Sequence, residues 1–132
     1  MKLTDLGMLT NPGYKILTVL DRSAMFRLGG EEAKGKHGAH EIKPLEFLWA
    51  KVGSGSFSAS NTIHIDDLSR NFAFNPQCGL KCTQYRLKGA MAKRSQDTEL
   101  FEMARYLLRI ASSVPDWCTL DHSKWKQHGK SL

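Results

Sequence analysis

Two adjacent carboxylates, Asp66 and Asp67, close the short apolar run Thr62-Ile-His-Ile65. β-Branched residues dominate the run and it is too brief for a helix, which predicts a buried strand over 62–65. Successive strand residues point to opposite faces, so two neighbouring acids can share a site only where the strand ends. In open parallel α/β sheets that carboxyl end is where ligands bind. Hard cations such as Mg2+ take carboxylate oxygens, one or two from protein, with water and phosphate completing the shell. Taken alone, the two acids read more readily as a solvated turn after the strand.

Lys43 is the second candidate. The segment from Pro44 to Val52 predicts a helix, because proline fits a first turn and Leu45, Leu48, Trp49 and Val52 recur at helical spacing. Lys43 then stands at the helix entrance, where free backbone N–H groups favour an anion and an ammonium adds to that preference. A surface lysine beside a loop is the plainer alternative. Asp21 closes the run Lys15-Ile-Leu-Thr-Val-Leu20, which predicts a strand buried on both faces after a turn at Asn11-Pro-Gly13. A single acid there reads as a turn or cap residue and stays outside the site.

Around these residues the organisation is simple. Gly29 to His40 reads as an exposed loop or ragged hairpin, and His37 and His40 on it, without a third ligand, read as solvated. Gly53 to Ser60 is a flexible connector, and Gly79 to Thr83 a short strand. The basic stretch through Lys81, Arg86, Lys88, Lys93 and Arg94 reads as a solvated loop. Asp97 to Ser112 predicts the clearest helix, with Leu100, Met103, Ala104, Leu107, Leu108 and Ala111 as its core stripe. Ser95 or Asp97 can cap it and Pro115 bars its continuation. Trp117 and Trp125 are expected to dock a tail whose end, 126–132, is loose.

The 132 residues allow one small domain, and 41% apolar residues suffice for a core. No run approaches the length of a membrane span, and the first residues lack a signal-peptide stretch. Cys78, Cys82 and Cys118 show no paired C-x-x-C spacing and read as reduced thiols of an intracellular protein. The formal charge of +6 favours anionic partners without choosing among them. No aromatic-basic interleaving accompanies the charge, which argues against nucleic acid.

The stretch Asn61-Thr-Ile-His-Ile-Asp-Asp-Leu-Ser-Arg-Asn-Phe72, continued by Ala73-Phe-Asn-Pro-Gln-Cys-Gly-Leu-Lys81, resembles the haloacid-dehalogenase-type phosphatases of the FCP/SCP branch. Within that branch it is similar to the members carrying a ubiquitin-like domain. Leu9-Thr-Asn-Pro-Gly-Tyr-Lys-Ile16, Leu20-Asp-Arg-Ser-Ala-Met25 and Lys43-Pro-Leu-Glu-Phe-Leu-Trp-Ala-Lys51 match in the family's order across 7–125. The resemblance implies a doubly wound, three-layer α/β/α domain and a Mg2+-dependent phosphoserine/phosphothreonine protein phosphatase acting through an aspartyl-phosphate. It makes Lys43 the phosphoryl-binding lysine, Asp67 the metal ligand and Asp66 its neighbour, orienting Lys43 or a metal-bound water. Arg70 and Asn71 match the segment after the strand and carry over as substrate-binding residues.

The family's nucleophile motif, Asp-x-Asp-x-Thr, is absent from this sequence. The expectation is therefore a partial haloacid-dehalogenase-like (Rossmannoid) α/β domain without its central nucleophile strands, 1–125 being the C-terminal part of the phosphatase domain. The implied partners are a phosphoprotein substrate in the nucleus, the N-terminal half of the domain and the proteasome, with the RNA polymerase II tail as another substrate. The proteasome link depends on the ubiquitin-like domain, which is also absent. A non-catalytic protein-binding module derived from such a phosphatase is the alternative, so whether the chain is an enzyme stays open in the sequence.

Overall fold

A computed structural model of the chain describes residues 2–29, 39–53, 55–84 and 97–128. A single helical turn, α1 (Lys2–Asp5), precedes a hairpin of β1 (Phe26–Leu28) and β2 (His40–Ile42). Helix α2 (Leu45–Val52) follows at once, then β3 (His64–Asp66), β4 (Gly79–Lys81), the long helix α3 (Glu99–Ser113) and a last turn, α4 (Trp125–His128). The chain is mixed α/β with small sheets. Residues 85–96, which hold most of the basic stretch, lie outside the described residues, as does His37.

β1 and β2 pair antiparallel, with Phe26 opposite Ile42 and Leu28 opposite His40, so paired strands flank the 29–40 segment read as a loop or hairpin, of which 30–38 lie outside the described residues. Gly29 leaves β1 at φ 90°, a left-handed conformation that favours glycine. β3 and β4 pair parallel, His64 beside Gly79 and Asp66 beside Lys81, and the Cys82 N–H continues the ladder to the Asp66 carbonyl at 3.0 Å. Parallel neighbours need a crossover, usually an α-helix. Here residues 67–78 cross over on two 3-10 turns, Ser69–Phe72 and Pro76–Cys78. The doubly wound sheet implied by the resemblance is thus represented by one parallel pair.

The core lies where α3 and the C-terminal segment cover β4. Leu80, Met103, Tyr106, Ile110 and Trp125 are buried together, with Ile63, Trp117 and Leu120 packed against them. The Trp125 indole N–H donates to the Lys81 carbonyl at 2.9 Å, so the predicted docking of both tryptophans is observed. The expectation of a loose tail from 126 is corrected for 126–128: α4 runs on to His128, and the Lys126 ammonium pairs with Glu99 at 2.8 Å, while 129–132 lie outside the described residues.

Two expectations are corrected. Lys15–Leu20 forms no strand, and Leu17, Val19 and Leu20 are 49%, 55% and 37% exposed. A strand needs a neighbour to satisfy its N–H and C=O groups, and no described strand runs beside it. On α3 the buried stripe is Met103, Tyr106 and Ile110, whereas Leu100 and Leu108 are 76% and 72% exposed. Both sets have helical spacing, so periodicity could not choose; packing against Leu80 and Trp125 does.

Candidate functional site

Ile42 and Leu45 are buried at 0% and 4% exposure, and Lys43 stands between them. The two anchors fix the junction from β2 into α2, so the lysine backbone has little freedom while its side chain remains half exposed. The junction is tied to the β3–β4 crossover by Asn75. Its side-chain oxygen accepts the Leu45 N–H at 3.0 Å, and its amide donates to Glu46 at 2.7 Å. This corrects the expectation of free N–H groups at the α2 entrance, since a buried asparagine occupies the first of them. Pro44 precedes the helix as its cap residue.

Strand β3 supplies the other half. His64 and Asp66 alternate onto one face, and Ile65, on the other, is 44% exposed. The predicted strand therefore starts two residues later and ends one residue later than expected, and is half-buried. The Lys43 ammonium lies 3.3 Å from Asp66 Oδ2, while Asp66 Oδ1 accepts the Leu68 N–H at 2.9 Å. Burial works against the Asp66 carboxylate, but hydrogen bonds from Leu68 N–H, the Asn71 amide and Lys43 outweigh it and hold its pKa below the usual carboxylate range. Burial also lowers the pKa of His64, whose ring lies 3.9 Å from Asp66. Phe72 packs edge-on against that ring at 5.0 Å.

The structure thus joins Lys43, Asp66 and Asn71, and adds His64, which the sequence reading passed over. Its alternation with Asp66 was the available signal. Asn71 is 9% exposed and holds Asp66. Arg70 is exposed and lines a neighbouring cleft with Arg22 and Arg27. Asp67, the next residue after Asp66, lines a cleft with Lys81, Cys82 and Lys126. Asp21 caps the turn Arg22–Ala24 by accepting the Ser23 N–H at 2.9 Å, as a structural acid would.

Asp67 offers one hard oxygen donor, and the described residues hold no group of three or more His, Cys, Asp and Glu able to enclose a metal. That donor set fits Mg2+, which keeps most of its shell as water and phosphate oxygen, and does not fit an all-protein cage. Cys78, Cys82 and Cys118 are free thiols.

Comparison with known proteins agrees with this frame. The chain is similar to a ubiquitin-like domain-containing CTD phosphatase of Arabidopsis thaliana, 40% identical over 126 residues that cover 96% of this chain and 35% of that protein. The ubiquitin-like domain-containing CTD phosphatase 1 of Drosophila melanogaster is 38% identical and that of Homo sapiens 37%, each across 96% of this chain and 37% of the relative. The chain therefore spans about a third of the length of the curated relatives it matches. Residues 8–117 match the family described as NLI interacting factor-like phosphatase. On that match, the chain belongs to the NLI interacting factor-like phosphatase family.

Proposed function

We propose that this chain supplies the phosphoryl-binding lysine and the metal-side carboxylate of a Mg2+-dependent phosphoserine/phosphothreonine protein phosphatase. The observation that carries the reading is the Lys43–Asp66 pair at 3.3 Å, at the carboxyl end of a parallel strand with the ammonium half exposed. In this reading Lys43 binds phosphoryl oxygens as a compact cation, Asp66 holds its head in place, and Asn71 holds Asp66. Asp67 would hold Mg2+, which when bound neutralises charge on the phosphoryl oxygens.

The nucleophile comes from outside this sequence, which contains no Asp-x-Asp-x-Thr. In the reaction, an aspartate oxygen attacks phosphorus, the serine or threonine oxygen leaves with a proton, and water then cleaves the aspartyl-phosphate. The chain is thus the C-terminal part of a haloacid-dehalogenase-like domain, lacks hydrolysis by itself, and works with the N-terminal half of such a domain. Its substrates in this reading are nuclear phosphoproteins, at the proteasome or on the RNA polymerase II tail.

The test fuses the N-terminal part of the Arabidopsis relative's phosphatase domain ahead of Met1 and follows p-nitrophenyl phosphate turnover against Mg2+. The fusion is expected to be active. Lys43→Met and Asp67→Asn should each lower turnover by roughly 10²–10³-fold, the scale for losing one electrostatic contact to a transition state. A folded, active fusion indifferent to both substitutions would remove these residues from the site.

A further inference from the structure

The cleft beside the Lys43–Asp66 pair has a volume of about 550 Å³ and carries Arg22, Arg27 and Arg70 on its walls. Three guanidiniums face one carboxylate there, Glu41, so the lining has a formal charge of +2 without counting histidine. Arg22 is paired with Glu41, whereas Arg27 and Arg70 form no ion pair among the described residues. Arg27 lies on β1 opposite Glu41 on β2, so the hairpin register sets both on one face. Arg70 comes from the turn that follows β3.

Shared lining connects this cleft to the phosphoryl-binding pair. Asn71 lines it and also holds Asp66. Arg22 lines it and also the adjoining cleft that contains Lys43. A ligand in contact with Lys43 is thus within reach of the arginines along one continuous surface.

We propose that the arginine-lined cleft binds a second phosphate group on the same peptide that presents a phosphoryl group to Lys43, so that doubly phosphorylated segments are preferred. The proposal rests on the phosphoryl-binding reading of Lys43. Guanidinium forks match phosphate oxygens in bidentate geometry, and two of them without ion pairs suit a dianion better than a single carboxylate. Nucleic acid fits less well. Among the described residues lining the cleft there is no Phe, Tyr or Trp to stack a base, and Glu41 would repel a continuous phosphate backbone.

The experiment is fluorescence anisotropy of the full chain with labelled peptides carrying one phosphoserine, or two at varied spacing, beside an oligothymidylate of equal charge. At the best spacing, the doubly phosphorylated peptide is expected to bind about tenfold more tightly than the singly phosphorylated one. Arg27→Gln and Arg70→Gln should each shrink that ratio, while Lys43→Met weakens both peptides and leaves the singly phosphorylated one with little affinity. Equal binding of one and two phosphates at every spacing, or a ratio unchanged in both arginine variants, would overturn the cleft proposal. Tighter binding of the oligothymidylate than of any peptide would also overturn it. If instead Lys43→Met changes neither peptide, the reading of Lys43 fails, whatever the arginines do.

Discussion

Lys43 and Asp66 meet at 3.3 Å although they follow different sheets, Lys43 after the antiparallel hairpin and Asp66 at the end of the parallel pair. The contact therefore reports how the two sheets are set against each other. Exposed ion pairs of this kind contribute roughly 0–1 kcal/mol, and the Lys43 side chain is 50% exposed, which discounts it further.

Lys43→Met should accordingly change the unfolding free energy measured in urea by no more than that contribution, while phosphate-analogue binding by calorimetry is lost. Lys43→Arg should not restore binding, because a planar fork cannot take the place of a compact ammonium. Equal affinity in all three proteins would leave Lys43 a surface residue.

Asn75 is 3% exposed and meets a backbone donor that has no other described partner. Asn75→Ala strands the Leu45 N–H in a buried position and should cost about 1–3 kcal/mol. Urea unfolding reads the loss directly. Asn75→Asp keeps the acceptor for Leu45 but sets a carboxylate against Glu46, and should recover only part of it.

His122 bonds through both nitrogens, its Nε2 to the Trp117 carbonyl at 3.0 Å and its Nδ1 to the Tyr106 hydroxyl at 2.6 Å. A carbonyl can only accept, so Nε2 donates and Nδ1 accepts from tyrosine. Burial pushes the His122 pKa below 6.5 in the folded protein. The unfolded chain then binds the proton more readily, so stability is full above about pH 6.5 and falls as pH drops toward the folded value. His64 titrates with the same sign. His122→Gln should flatten, without abolishing, the slope of unfolding free energy against pH on the acid side of neutrality. An unchanged slope would show that His122 titrates alike in both states.

Gly79 packs so closely that a Cβ built on it would lie 2.5 Å from the Phe72 ring. Gly79→Ala must displace that ring, which in turn lies against His64 beside Asp66. The expected cost is about 1–3 kcal/mol from overpacking, seen as a lower melting temperature. The His64 imidazole resonances should shift as well. Intact resonances with unaltered stability would mean that Phe72 moves away freely.

Whatever depends on neighbouring residues could be read along the chain. Apolar spacing placed α2 and α3 to within two residues at either end, β-branching located β3, and the pieces around Lys43 and Asp66 identified the family. Which way those elements face was settled by packing between distant segments. Met103, Tyr106 and Ile110 outcompeted Leu100 and Leu108 because β4 and Trp125, distant in sequence, cover that side of α3. Lys15–Leu20 has strand composition and yet forms none, since a strand is completed by hydrogen bonds to another strand and not by its own residues. Asp66 is set against Lys43 by a contact across 23 positions, and Asp67 lines a cleft with Lys81 and Lys126, residues equally distant from local pattern. The Asn75 bond to Leu45, spanning 30 positions, carries no local signal at all. Each of these choices is a long-range contact, and such contacts form only when the chain folds back on itself.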